Sequence, residues 1–138
     1  MSTTEKIVYT AKTHTTGGRQ GNSVSNDEQL KVTLTPPESN KPGTNPEQLF
    51  AAGWSACYIG ALGVAAKQQQ ISLPTDLFVD AEVDLVLTND AYALQARLQV
   101  SLPGIATEDA LKLVGLAHQT CPYSKAVKGN IKVTTTLI

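Results

Sequence analysis

Residues 49–66 carry no charged side chain, and Ser55 is the one uncharged polar interruption in a run otherwise made of apolar residues, rich in Ala and Gly. A helix of this composition has no solvent face, so it is predicted to be buried all round, and the rest of the chain has to enclose it. Its small residues let another backbone come close. Asn45-Pro46-Glu47 has the residue types of a helix start: Asn as N-cap, Pro at the first helical position, and an acid at the positive end of the macrodipole. The helix is expected to run from there to about Gln70, with Cys57 in its charge-free middle.

The remaining segments read mainly as strands. Residues 7–11 are β-prone, Gly17-Gly18-Arg19-Gln20-Gly21 is a loop, residues 23–25 are extended, and Leu30, Val32 and Leu34 alternate with Lys31 and Thr33. Pro36-Pro37 stops the pairing. After Pro74, Val79, Ala81, Val83, Leu85 and Leu87 alternate with more polar neighbours as far as an Asn89-Asp90 turn. Leu94, Ala96, Leu98, Val100 and Leu102 repeat the pattern on the way back, which predicts a hairpin. Thr107 is expected to cap a second helix, with Glu108 and Asp109 in its first turn and Ala110, Leu113, Val114 and Ala117 as its buried stripe. Cys121-Pro122 ends that helix and begins a short further turn, and residues 131–137 close the chain as a strand. The order strands, long helix, strands, helix, strand predicts an α+β fold with largely antiparallel sheet, in one domain spanning residues 1–138.

Charge and composition exclude several functions. Eleven Lys plus Arg against twelve Asp plus Glu leave a net charge of −1, with no basic footprint for a nucleic acid. The polar first thirty residues do not resemble a signal peptide, and no uninterrupted apolar run reaches membrane-spanning length, so a cytoplasmic protein with no membrane partner is expected. Two cysteines in such a compartment are not a structural disulfide by default; they are inert core thiols or they do redox work. With His14 and His118 as the only histidines, and no CxxC or HxxxH spacing, no metal site is expected.

Both readings of Cys57 remain open on composition. Sealed in an apolar helix its thiol would be unreactive; it becomes a nucleophile if a cation favours the thiolate. Arg19 is the candidate cation, because flanking glycines let a loop aim its guanidinium inward, although an ordinary glycine turn with a solvated Arg fits the same residues. Glu47 could orient that Arg through a bidentate pair or serve only the helix dipole. Glu47 and Cys57 lie ten positions apart, about 15 Å along a straight helix and on different faces, so one Arg would struggle to touch both within a chain. If all three belong to one site, a second subunit is expected to contribute part of it. Cys121 occupies a helix N-cap, which also lowers a thiol pKa, so the residues alone do not say which cysteine attacks first. His118 is read as structural, with a proton carrier as its alternative. Phe50, Trp54 and Tyr58 either wall an apolar substrate pocket near Cys57 or are plain core.

Four islands then resemble a known family: Asn45-Pro46-Glu47-Gln48-Leu49-Phe50-Ala51-Ala52-Gly53 leading to Ala56-Cys57, Ala117-His118-Gln119-Thr120-Cys121-Pro122-Tyr123-Ser124, Gly129-Asn130-Ile131, and the early Gly17-Gly18-Arg19. In this order they are similar to the organic hydroperoxide resistance proteins of the Ohr/OsmC superfamily. The resemblance implies an intertwined homodimer in which antiparallel sheets enclose the long central helices, with active sites at the subunit interface. It also implies that Cys57 is the peroxidatic cysteine, Cys121 the resolving one, Arg19 the thiolate partner and Glu47 the residue that holds Arg19. The implied activity is a thiol peroxidase acting on organic hydroperoxides, those of fatty acids included. Its implied donor is an external dihydrolipoyl group, on a lipoylated protein or as dihydrolipoamide, with no bound cofactor. Trp54 stands where a smaller aromatic is expected, and Gln20 where an acid is common. A slow OsmC-type peroxidase or redox sensor and a non-catalytic binding domain are the alternatives.

Overall fold

The computed structural model describes residues 4–138, which divide into two compact units, one ending at Pro46 and one spanning residues 47–138. In the first, β1 (Thr13–Thr16), β2 (Asn22–Ser25) and β3 (Lys31–Thr33) form an antiparallel sheet in that order. A 3-10 turn, Gly18–Gln20, joins β1 to β2. The loop closes so tightly on itself that a Cβ at Gly17, where φ is 75°, would lie 2.7 Å from the Gly21 Cα. A Cβ on Gly21 would collide with the Thr16 carbonyl. The β-prone residues 7–11 form no strand, because no strand among the described residues pairs with them, and Ile7, Val8 and Tyr9 are left exposed.

The second unit holds α1 (Pro46–Gln68, starting at the boundary), β4 (Phe78–Thr88), β5 (Ala91–Ser101), α2 (Thr107–Thr120), α3 (Pro122–Val127) and β6 (Lys132–Leu137). β4 and β5 pair antiparallel across the Asn89-Asp90 turn, where both residues have positive φ (50° and 63°), the conformation that matches the twist of a two-residue hairpin. β6 joins β5 in parallel, a pairing that the α2–α3 crossover makes possible within a largely antiparallel fold. Register places Val79, Ala81 and Val83 opposite Val100, Leu98 and Ala96, and these in turn opposite Leu137, Thr135 and Val133, all on one face. That face meets the helices in a core whose centre is Trp54, Tyr58, Leu62, Leu98, Val100, Leu113 and Cys121. On the opposite face, the Arg97 guanidinium grips both Asp84 oxygens at 2.7 and 2.8 Å and reaches Glu82 at 3.0 Å.

α1 has the length and apolarity of a membrane-crossing helix. In this fold Trp54, Tyr58, Ala61, Leu62, Ala65 and Ala66 bury one stripe of it. The other stripe, Ala52, Ala56, Gly60, Gly63 and Val64, is exposed, so a single chain does not enclose the helix as its composition predicts. Nor is Thr107 the cap of α2. Ala106 holds that position with no side-chain cap bond, and Thr107 is the first helical residue.

The strain at the hairpin is testable. A side chain bulkier than Asp at position 90, where φ is 63°, meets the left-handed penalty of about 1–2 kcal/mol, while glycine escapes it. Asp90→Gly is expected to raise stability by up to about 1 kcal/mol and Asp90→Val to lower it by about 1–2 kcal/mol, both read from urea unfolding midpoints.

Candidate active site

Cys57 lies in the middle of α1, and Cys121 is a single-residue corner between two helices. The Cys121 backbone N–H donates to the Ala117 carbonyl of α2 at 2.8 Å, and its own carbonyl accepts the Lys125 N–H of α3 at 3.0 Å. With ψ at 120° it turns the chain there, and Pro122, at the first helical position, sets the next segment's φ. The corner brings Cys121 Sγ to 3.3 Å from Cys57 Sγ, with both cysteines reduced. A disulfide bond is about 2.05 Å, so a closure of about 1.2 Å would join them.

The two sulfurs differ in access. Cys121 has no exposed surface, whereas Cys57 is half-buried. Burial pushes the Cys57 thiol above its ordinary pKa, the hydrogen bond shared with Cys121 pushes the same way, and the Tyr123 backbone N–H pulls it back. None of these groups carries a positive charge. A thiolate at neutral pH therefore needs a cation to reach this sulfur.

Aromatic residues cluster against the turn of α1 that precedes Cys57. Phe50 meets Trp54 edge-on at 5.6 Å and Tyr123 at 6.3 Å between ring centroids. Gly53, one helical turn before Cys57, has no side chain to hold the Tyr123 ring away; a Cβ there would sit 3.1 Å from the Tyr123 hydroxyl oxygen. Of the three aromatics singled out in the sequence, Phe50 is partly buried and belongs to this cluster, while Trp54 and Tyr58 are fully enclosed. Tyr58 is a core residue: its hydroxyl donates to the Val114 carbonyl at 2.9 Å, and burial raises its pKa well above the usual phenol range. Tyr123, which the sequence reading left out of the pocket, was legible in principle from its place two residues after Cys121.

His118 makes two hydrogen bonds, from Nδ1 to Ser124 Oγ at 2.9 Å and from Nε2 to Thr135 Oγ1 at 2.7 Å. Trp54 Nε1 can only donate, and it donates to Ser124 Oγ at 3.0 Å. With the serine proton pointed at Nδ1, the imidazole proton sits on Nε2 and donates to Thr135. Burial lowers the His118 pKa and so favours this neutral form. These bonds support the structural reading of His118. A cleft of about 490 Å³ lies beside the network, lined by Trp54, His118, Ser124, Ile131 and Thr135 among others, and includes neither cysteine.

Glu47 is half-buried in the first turn of α1. Arg19 lies on the 3-10 turn of the other unit, on the exposed surface of that turn. His14 lies in β1 and is exposed. Among the described residues no group of three or more His, Cys, Asp or Glu is arranged to hold a metal ion.

Residues 37–136 match the model of the OsmC-like protein family. An organic hydroperoxide resistance protein of Xanthomonas axonopodis pv. citri is 42% identical over 141 residues, covering 99% of this chain and 99% of its own. The chain belongs to the organic hydroperoxide resistance branch of the OsmC-like family. Its fold follows that of the family's solved structures. The OhrB protein of Bacillus subtilis superposes with a TM-score of 0.90 at 38% identity, over 96% of this chain and 100% of that one. An organic hydroperoxide resistance protein of Elizabethkingia anophelis does so with a TM-score of 0.88 at 37% identity, over 96% and 98%. This OsmC-like chain thus has the two sheets and helices of the branch, and it brings the two cysteines of the sequence islands into contact.

The lowered pKa of His118 gives a pH signature with a definite sign. Below the ordinary histidine value of 6.5 the unfolded chain takes up a proton that the folded chain resists, so stability falls as pH drops through this range. Urea unfolding at about pH 7.5 and about pH 5.5 is expected to show that loss, and His118→Asn to show a smaller one. Asp84, held at about 2 chiefly by its hydrogen bonds from Arg97, titrates below this window and does not blur it.

Proposed function

We propose that this chain is a thiol peroxidase that reduces organic hydroperoxides at Cys57 and completes the reaction through a disulfide with Cys121. The observation that carries the reading is the contact of two reduced sulfurs at 3.3 Å, one partly open to solvent and one sealed. The names of the relatives that span nearly the whole chain, proteins of resistance to organic hydroperoxides, support the choice of oxidant.

The Cys57 thiolate attacks the distal oxygen of ROOH; the O–O bond breaks, the alkoxide leaves and is protonated to the alcohol, and the sulfur becomes a sulfenic acid. Cys121 then condenses with that sulfenic acid, water leaves, and an intramolecular disulfide remains. An external dithiol of the dihydrolipoyl class, carried on a protein or as dihydrolipoamide, restores both thiols by exchange. The sulfur carries both electrons, so the scheme needs no metal or bound cofactor. The apolar rings of Phe50 and Tyr123 favour a greasy R group, fatty acid hydroperoxides included.

Arg19 is assigned to supply the positive charge that Cys57 needs, and Glu47 to orient its guanidinium. A second copy of the chain is assigned to complete the enclosure. Two observations support a homodimer. The exposed stripe of α1 contains Gly60 and Gly63, where a Cβ would meet nothing within 4 Å, so no contact in this chain accounts for glycines that each cost a helix about 1 kcal/mol. Leu85, Leu87 and Tyr92 at the end of the β4–β5 hairpin are likewise exposed apolar residues.

The test is consumption of tert-butyl hydroperoxide and of hydrogen peroxide with dihydrolipoamide as reductant. Faster turnover of the organic peroxide is expected, abolished by Cys57→Ser. Cys121→Ser is expected to stop after one oxidation. Arg19→Ala is expected to lose about ten- to a hundredfold near neutral pH, the share of thiolate lost when a thiol pKa rises by about one to two units. Turnover that survives Cys57→Ser would rule the reading out.

A further inference from the structure

The hydrogen-bonded cluster around Ser124 duplicates, one helical turn away, the span between the two cysteines. Trp54 precedes Cys57 by three residues on α1, His118 precedes Cys121 by three on α2, and Ser124 follows Cys121 by three on α3. Residues three apart on a helix share a face. The Ser124 hydroxyl therefore links all three helices at one point, accepting from Trp54 at 3.0 Å and bonding His118 at 2.9 Å, while His118 is anchored to β6 through Thr135 at 2.7 Å. Ser124 and Trp54 are themselves buried, so the bond between them is shielded from bulk water, and breaking it leaves an unsatisfied polar group inside.

Such a tether has a use at the corner. The chain turns at Cys121 through a single residue, and rotation about that residue's ψ would swing α3 relative to α2 and alter the footing of the cysteine side chain. A sulfur displaced by about 1 Å loses the near-attack separation of about 3–3.5 Å that makes an intramolecular reaction fast. We propose that Ser124 is a positioning residue for disulfide formation, fixing the Cys121 corner to α1 through Trp54 and to α2 through His118 so that the two sulfurs stay in contact. The inference rests on the reading that Cys57 and Cys121 exchange a disulfide. In the step concerned, the Cys121 sulfur bonds to the Cys57 sulfur as the S–O bond of the sulfenic acid breaks. The hydroxyl leaves with the thiol proton as water, and no further oxidant is consumed. Ser124 touches neither the peroxide nor either sulfur in this account; it acts through the corner.

The experiment compares the native chain, Ser124→Ala and, as a control for lost stability alone, Val100→Ala, which removes core packing from β5. Each fully reduced protein is equilibrated in glutathione redox buffers, and the Cys57–Cys121 disulfide is quantified by mass spectrometry. Each is also given one pulse of tert-butyl hydroperoxide, and the disulfide is compared with Cys57 sulfinic acid, the product expected when the resolving thiol arrives late. Ser124→Ala is expected to lower the equilibrium constant for the disulfide at least tenfold and to raise the sulfinic share. Val100→Ala is expected to leave both near the native values. Should Ser124→Ala fail to fold, Trp54→Phe, which keeps an aromatic ring and removes the N–H donor, is expected to show the same shift. Equal equilibria in the native chain and Ser124→Ala, or equal shifts in Ser124→Ala and Val100→Ala, would overturn the positioning role while leaving the peroxidase reading intact. A native disulfide that forms with glutathione but not with hydroperoxide would overturn the peroxidase reading and leave the positioning role standing.

Discussion

One residue, Cys121, ends α2 and begins α3, and the direction of that corner decides whether two thiols sixty-four positions apart meet. The corner depends in turn on the core. α2 presents Ala110, Leu113 and Ala117 to the buried interior, the last of them one turn before Cys121, whose own side chain is buried in the same core. Tyr58 fills the space on the other side, with its hydroxyl tied to the Val114 carbonyl and its ring 4.7 Å from that of His118. Packing and hydrogen bonding thus converge on the same few residues that carry sulfur, and the geometry of the pair is a property of the whole 47–138 unit.

That same enclosure sets the electrostatic problem of the site. Removing a thiol from water raises its pKa, and placing a second thiol beside it does the same, so the packing that assembles the pair works against ionising Cys57. The proposed cation from Arg19 resolves this conflict, and a low-dielectric surround would make its charge count for more than it would in water. The exposed stripe of α1 raises a parallel issue for the fold: an apolar helix of this length has more surface to bury than one copy of the chain covers. In the function proposed above, a second copy of the chain is assigned to cover that surface.

Much of this was legible in the sequence because the responsible signals are local. The alternation from Val79 to Leu87 and its return from Leu94 to Leu102 gave the hairpin and its turn, and Asn45-Pro46-Glu47 gave the start of α1, since each rests on periodicity or on backbone preference within a few residues. The parallel addition of β6 was not legible, because strand direction depends on where a crossover returns and not on side-chain pattern. Residues 7–11 carry β-prone side chains but find no partner strand among the described residues, and pairing, not propensity, makes a strand. Thr107 lost the cap position to Ala106 by one residue, because the backbone enters the helix there and Thr107 is already helical. At the site, both cysteines were named from the sequence and the family resemblance implied their pairing, which agrees with their contact, whereas the Trp54–Ser124–His118 links were not legible, because they join residues up to seventy positions apart.

The central claim is that the sulfurs of Cys57 and Cys121 form one redox unit, and the most direct measurement is peptide mapping of the fully reduced chain after a single equivalent of an organic hydroperoxide. The account predicts one intramolecular disulfide joining the peptides of Cys57 and Cys121, formed with the release of one equivalent of alcohol. Oxidation that stops at either cysteine with no bond between them, or a chain that emerges with both thiols intact, would contradict it.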